Sequence, residues 1–241
     1  MRKRATSKRT RKNQEELLEA PKTSTRKTVE RKALLPKTKN QKIYFDSIVN
    51  NNVTICTGPA GSGKTAIAVS LACEYLISNK INRIIVTRPV IESGKGLGFL
   101  PGTMSEKINP YMVPIMEEME KYMNKDTIAQ FIIQKVLEVC PLEYMRGRNF
   151  HNSFIILDEA QNCTAAQIKM LITRFGQNSK VVINGDTKQS DLPEYTKNGF
   201  SKVKELLENM NNIGICTLTL EDVQRHGLIA SILERFENAG I

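Results

Sequence analysis

Val53-Thr54-Ile55-Cys56-Thr57-Gly58-Pro59-Ala60-Gly61-Ser62-Gly63-Lys64-Thr65 is the stretch from which the rest of the chain can be placed. Its first five residues, mostly β-branched, suit a buried strand. A glycine-rich turn follows, and Ala66, Ile67, Val69, Leu71 and Ala72 continue as an apolar helix. Gly58, Gly63, Lys64 and Thr65 satisfy the spacing G-x-x-x-x-G-K-[ST]. Glycines at those places let the backbone curl so that several N–H groups converge on a phosphate chain, and the helix N-terminus adds its positive end. Gly58, Pro59, Ala60, Gly61, Ser62, Gly63, Lys64, Thr65 and Ala66 are therefore the expected nucleotide cradle. Lys64 is placed to meet the β- and γ-phosphates, and the Thr65 hydroxyl to ligate Mg²⁺.

Four further apolar runs have strand length: Ile84 to Val86, Phe154 to Leu157, Val181 to Ile183, and Ile213 to Leu220, the last weakened by Gly214. Helical patterns separate them, so parallel βαβ units are expected, an α/β sheet of about five strands flanked by helices. Ile43, Tyr44 and Ile48 suggest a helix over 40–49. Two more helical stretches are expected around Ile115–Met123 and Thr127–Val139, with the methionines at 112, 116, 119 and 123 as core filler. Thr164 and Gln167 spell a capping box; Ile168, Leu171, Ile172 and Phe175 form one face, and Gly176 marks the stop. Phe200, Val203, Leu206, Leu207 and Met210 form the next face, and Leu228, Ile229, Ile232, Leu233 and Phe236 the last. The segment Arg88 to Pro110, with four glycines and prolines at 89, 101 and 110, reads as a long loop excursion of functional kind.

In an open parallel sheet the carboxyl ends of the strands face the ligand. The third apolar run ends in Asp158-Glu159, so Asp158 is expected beside the phosphates, holding Mg²⁺, and Glu159 is placed to deprotonate a water. The fourth run ends in Asn184-Gly185-Asp186, and Gln189 just beyond can hydrogen-bond a γ-phosphate or the attacking water; a plain Gly-Asp turn is the competing reading. Gln41 carries a carboxamide able to pair with an adenine edge, or it is simply exposed. Arg225 is either a transition-state cation or a surface salt-bridge partner, and Arg146 and Arg148 make a compact basic loop. Neither His151 nor His226 has metal-ligand spacing with the cysteines.

Charge divides the 241 residues in two. Residues 1–42 hold 15 Lys and Arg against 4 Asp and Glu, whereas the remainder holds 20 against 21. Most of the net charge of +10 therefore belongs to the N-terminal arm, residues 1–36, which has too few apolar residues to offset ordering and is expected to be disordered. Such an arm suits attachment to nucleic acid by counterion release, or else serves as a solvated tail. Five scattered cysteines without a C-x-x-C pair suggest reduced thiols and a cytoplasmic setting. No run is apolar for long enough to span a membrane, and no apolar signal core follows the basic start.

Together the runs Gly58 to Thr65, Thr87 to Gly94, Leu97 to Gly102, Met145 to Phe150, Ile156 to Asn162, Gly185 to Gln189 and Val223 to His226 strongly resemble the PhoH family. These are P-loop ATPases of bacteria and their viruses, similar to the first motor domain of superfamily 1 helicases. The resemblance covers about residues 37–241 and leaves the arm outside. It implies a RecA-like fold, ATP rather than GTP, and RNA or single-stranded DNA as partner. It also implies Gln41 as adenine reader, Gln189 as γ-phosphate sensor and Arg225 as arginine finger. One motor domain has nothing to ratchet against, so either protomers assemble, a homo-oligomer with a hexameric ring as one form being expected, or the protein is not a processive unwinder. The rival readings are a nucleic-acid-binding protein that uses ATP as a conformational switch, and a small-molecule kinase.

Overall fold

A computed structural model describes residues 36–89, 113–187, 189–190 and 199–223, together with Ile232, Arg235 and Phe236. Expectations for the arm up to residue 35, for the excursion from residue 90 to Pro110, and for Arg225 and His226 lie outside the described residues. Among the described residues, six strands run β1 Val53–Thr57, β2 Arg83–Arg88, β3 Leu137–Pro141, β4 Ser153–Leu157, β5 Lys180–Gly185 and β6 Ile213–Thr217. They form one parallel sheet in the order β3-β2-β4-β5-β1-β6. The helices are α1 Lys39–Asn50, α2 Lys64–Ile77, α3 over residues 113–119, α4 Lys125–Ile133, α5 Ala165–Ile172 and α6 Gly199–Leu206.

Both faces of the sheet are covered, which is why β1 and β4 are buried at every position and read as unbroken apolar runs. On one face Cys56, Val86, Phe154, Ile156 and Val182 pack with α1, α2 and α3 residues such as Tyr44, Leu71, Ile115 and Met119. On the other, Ile55, Ile85, Ile155 and Ile183 pack with Ile168, Leu171 and Phe200 of α5 and α6. The alternation is the two-residue period of the strand. Met119 and Met123 are buried core residues, and Met116 packs against them, as filler should. Lys180 at the foot of β5 donates to the carbonyls of Ile48, Val49 and Asn51 at 2.8, 2.9 and 2.7 Å, satisfying the C-terminal end of α1.

Several expectations need correction. The helix expected through Val139 stops at Ile133. Lys135 adopts a left-handed φ of 56° and Val136 N–H reaches back to Phe131 O at 2.8 Å, a helix-terminating reverse turn without a glycine to advertise it. Leu137–Pro141 then pairs with β2 as a sixth strand. The last strand ends at Thr217, not Leu220. Gly214 belongs in that strand because α1 lies against it: a Cβ there would stand 1.9 Å from Ser47 Oγ. The capping box of Thr164 and Gln167 forms, but α5 closes at Thr173, whose N–H bonds Lys169 O; Gly176 instead donates to Phe150 O at 2.6 Å. On the amphipathic faces Tyr44, Ile48, Phe200 and Val203 are buried, whereas Ile43 (51% exposed), Leu206 (77%) and Met210 (51%) point outward. Ile232 and Phe236 are exposed, and Leu228, Ile229 and Leu233 lie outside the described residues.

Candidate functional site

The strand order decides what meets at the carboxyl edge. Between β1, which leads into the glycine-rich turn, and β4, which ends at Asp158, lies β5. Residues from all three strand ends therefore surround one cavity of about 760 Å³, lined among others by Gly61, Gly63, Lys64, Thr65, Asp158, Glu159, Asn184, Asp186 and Gln189. That volume lies in the range of small-molecule sites.

The turn is shaped by close approach. A Cβ at Gly58 would come within 2.8 Å of the Leu218 carbonyl oxygen beyond β6, so the loop can pack there only as glycine. Gly63, at φ 95°, is the cap from which α2 springs, with Ile67 N–H bonded to Gly63 O at 3.0 Å. The first N–H groups of α2 thus open toward the cavity with the positive end of the helix. Lys64 Nζ rests on the carbonyls of Gly58 and Pro59 at 2.5 and 2.9 Å, poised at the loop that would hold an anion.

Thr65 Oγ1 donates to Asp158 Oδ1 at 3.0 Å, tying the first turn of α2 to the end of β4. The other carboxylate oxygen accepts from Arg88, Nε at 3.1 Å and an Nη at 2.5 Å. Asp158 is almost fully buried and needs such partners. A hydroxyl and a carboxylate so joined are oxygen ligands of the kind Mg²⁺ takes, so the donor set fits that ion. Among the described residues no group of three His, Cys, Asp or Glu side chains could hold a metal by themselves.

Glu159 is exposed to the cavity and sits at a left-handed φ of 58°, an uncommon setting for a non-glycine residue and one that recurs at functional sites. Gln161 Nε2 donates to Glu159 Oε2 at 2.6 Å, while Gln161 Oε1 accepts from Asp186 N–H at 3.0 Å. One carboxamide thus links the ends of β4 and β5 and aims the carboxylate. Gln189 is exposed at the cavity's edge, its N–H on Asp186 O at 3.3 Å.

Gln41 lines the cavity, but its carboxamide is engaged within the chain. Nε2 donates to Ser62 O at 3.0 Å and Asp222 O at 3.3 Å, and Oε1 accepts from Lys37 N–H at 2.9 Å. Asp222, itself buried, accepts from Thr38 Oγ1, from Asn40 Nδ2 at 3.0 Å and from Thr219 N–H at 2.7 Å. Burial pushes its carboxyl up, and these hydrogen bonds outweigh that, leaving it below the usual value. Arg148, of the basic loop, is paired with Glu138 through both oxygens and lies 4.8 Å over the Phe150 ring.

Sequence reasoning did not foresee Arg88, Gln161, Tyr122 or Glu118 at this site. A lone Arg at a strand end carries no local signal; Gln161 could have been found from its place two residues after Glu159. Burial raises all five thiols, Cys73 and Cys163 to about 12 and Cys140 to about 11, so none is a thiolate near neutrality. Among the described residues no helix is long and apolar enough to cross a membrane.

The profile of the family described as PhoH-like protein matches residues 33–237. A PhoH-like protein of Mycobacterium tuberculosis (strain ATCC 25618 / H37Rv) is 46% identical over 212 residues, 87% of this chain and 60% of that protein. A PhoH-like protein of Synechocystis sp. is 40% identical over 226 residues, 94% of this chain and 69% of that protein. Protein PhoH of Escherichia coli (strain K12) is 39% identical over 205 residues, 84% of this chain and 58% of that protein. The chain thus spans about 60% of the length of the first curated relatives it matches. Among solved structures, the large terminase from a thermophilic bacteriophage superposes with a TM-score of 0.53 at 11% identity, over 84% of this chain and 50% of that one, a likeness of fold.

Proposed function

The chain belongs to the PhoH-like protein family, and from that membership we propose that it binds ATP with Mg²⁺, hydrolyses it, and couples hydrolysis to RNA or single-stranded DNA. The observation that carries this reading is the Thr65–Asp158 hydrogen bond, which joins the anion-binding end of α2 to a strand-end carboxylate in one cavity. Lys64 leaves the Gly58 and Pro59 carbonyls to meet the β- and γ-phosphates, while backbone N–H groups over residues 58–66 cradle the chain. Thr65 and Asp158 would hold Mg²⁺, whose contribution is to offset the charge that builds on the phosphates. Glu159, aimed by Gln161, takes the proton of the attacking water. Gln189 reports the state of the γ-phosphate, and Arg225 stabilises transition-state charge, on this reading from a neighbouring protomer of a ring.

The basic arm, residues 1–36, supplies attachment to the nucleic-acid backbone, and residues 37–241 form the ATPase unit. The test is an ATPase assay with and without RNA and single-stranded DNA. Expected is Mg²⁺-dependent turnover, stimulated by one of them, that Glu159→Gln lowers at least about a hundred-fold while ATP still binds. Normal turnover in Glu159→Gln would remove the base assignment. Nucleotide binding without turnover in the unmutated protein would favour a conformational switch instead.

A further inference from the structure

Asn184 leaves hydrogen-bonding capacity unused at the inner end of the cavity. It stands on β5 level with Cys56 of β1, is fully buried, and lines the cavity beside Lys64, Thr65 and Asp158. Tyr44, also fully buried, reaches from α1, and its hydroxyl donates to Asn184 Oδ1 at 2.7 Å. The hydroxyl's other acceptor, Lys64 O, is 3.5 Å away, so its single proton belongs to Asn184. With Oδ1 turned to Tyr44, the NH₂ group faces away from it. Nδ2 has no hydrogen-bond partner among the described residues. A buried amide donor without an acceptor is destabilising, and native folds keep such groups where function uses them.

We propose that Asn184 contacts the phosphate end of the nucleotide, its side-chain N–H donating to a phosphate oxygen there. The proposal rests on the nucleotide reading of the cavity. Lys64, Thr65 and the loop N–H groups supply donors at this end, which suits oxygens that only accept, while Asp158 stands on the side assigned to the metal ion. An asparagine adds a donor without adding charge, where a carboxylate would repel phosphate. The competing role is structural, a bond that merely ties α1 to the sheet.

The experiment compares Tyr44→Phe with the double variant Tyr44→Phe/Asn184→Ala. The Tyr44 hydroxyl is absent from both, so their difference isolates the amide. Nucleotide-free melting temperature and the affinity for a non-hydrolysable ATP analogue are measured for each, with Lys64→Ala as reference. Expected are similar nucleotide-free melting temperatures, with affinity about ten-fold weaker in the double variant. Weakening that persists in EDTA supports a direct contact with the phosphate, and weakening seen only with Mg²⁺ overturns it. Equal affinities of the two variants overturn the proposal while leaving the nucleotide site intact, provided that the unmutated protein binds and Lys64→Ala does not. Failure of the unmutated protein to bind any nucleotide overturns both.

Discussion

Arg88 and Asp158 leave adjacent strands side by side and close an ion pair of 2.5 Å over the end of the sheet. Register makes this happen: Thr87 and Leu157 are paired across β2 and β4, so the next residue of each strand emerges together. Asp158 therefore has a resident cation on one oxygen and the Thr65 hydroxyl on the other.

Removing that cation should be costly. Arg88→Gln leaves a buried carboxylate with half its partners, and we expect a loss of about 3 kcal/mol in unfolding free energy measured by urea titration. A loss within experimental error of zero would mean that Asp158 is held adequately by Thr65 alone.

On the proposed reading Gln161 positions Glu159 through the hydrogen bond from its Nε2. Gln161→Leu should lower kcat by roughly ten-fold or more, the lower range for weakening a general base, with KM for ATP nearly unchanged. Its carboxamide also holds Asp186 N–H, so the thermal stability of the variant is measured alongside. A raised KM with normal kcat would place Gln161 in binding instead.

Asp222 makes stability depend on acidity. Its carboxyl is held below the usual value by Thr38, Thr219 and Asn40, so it contributes stability that is fully present above the unfolded pKa of about 3.9. That contribution is lost as pH falls through the lower folded value. Asp222→Asn should therefore cost about 1–3 kcal/mol at neutral pH, and the gap to the unmutated protein should narrow below roughly pH 4. Chemical unfolding across pH 3 to 7 checks it; a gap that stays constant in acid would sink the assignment.

The arm is tested by truncation. Deleting residues 1–36 should weaken RNA or single-stranded DNA binding and flatten its salt dependence, because fewer counterions are released, while basal ATPase survives. An unchanged slope of log affinity against log salt would leave the arm as a solvated tail.

Complementation addresses the assembly. Lys64→Ala protomers retain Arg225, and Arg225→Ala protomers retain the nucleotide cradle. Mixed, they should recover ATPase that neither shows alone if the arginine acts between protomers. Absence of recovery, with a monomeric mass in light scattering, would confine Arg225 to its own chain.

What the sequence by itself determined here was set by local chemistry. The glycine spacing from Gly58 to Gly63, the apolar runs of buried parallel strands and the Asp158-Glu159 pair each carry their meaning within a few residues, so the sheet type, the glycine-rich turn and the carboxylates at the strand end were legible. The capping box of Thr164 and Gln167 was legible for the same reason. Leu137–Pro141 was not, because a lysine rather than a glycine takes the left-handed turn that separates it from α4. Only the tertiary structure decided the partners of polar groups. Arg88 meets Asp158 across 70 residues, Tyr44 meets Asn184 across 140, and Gln41 is spent on Ser62 and Asp222. Which donor finds which acceptor depends on strand order and register, here on β5 lying between β1 and β4, and on the penalty for burying a polar group unpaired. Neither is written in any one stretch of the chain.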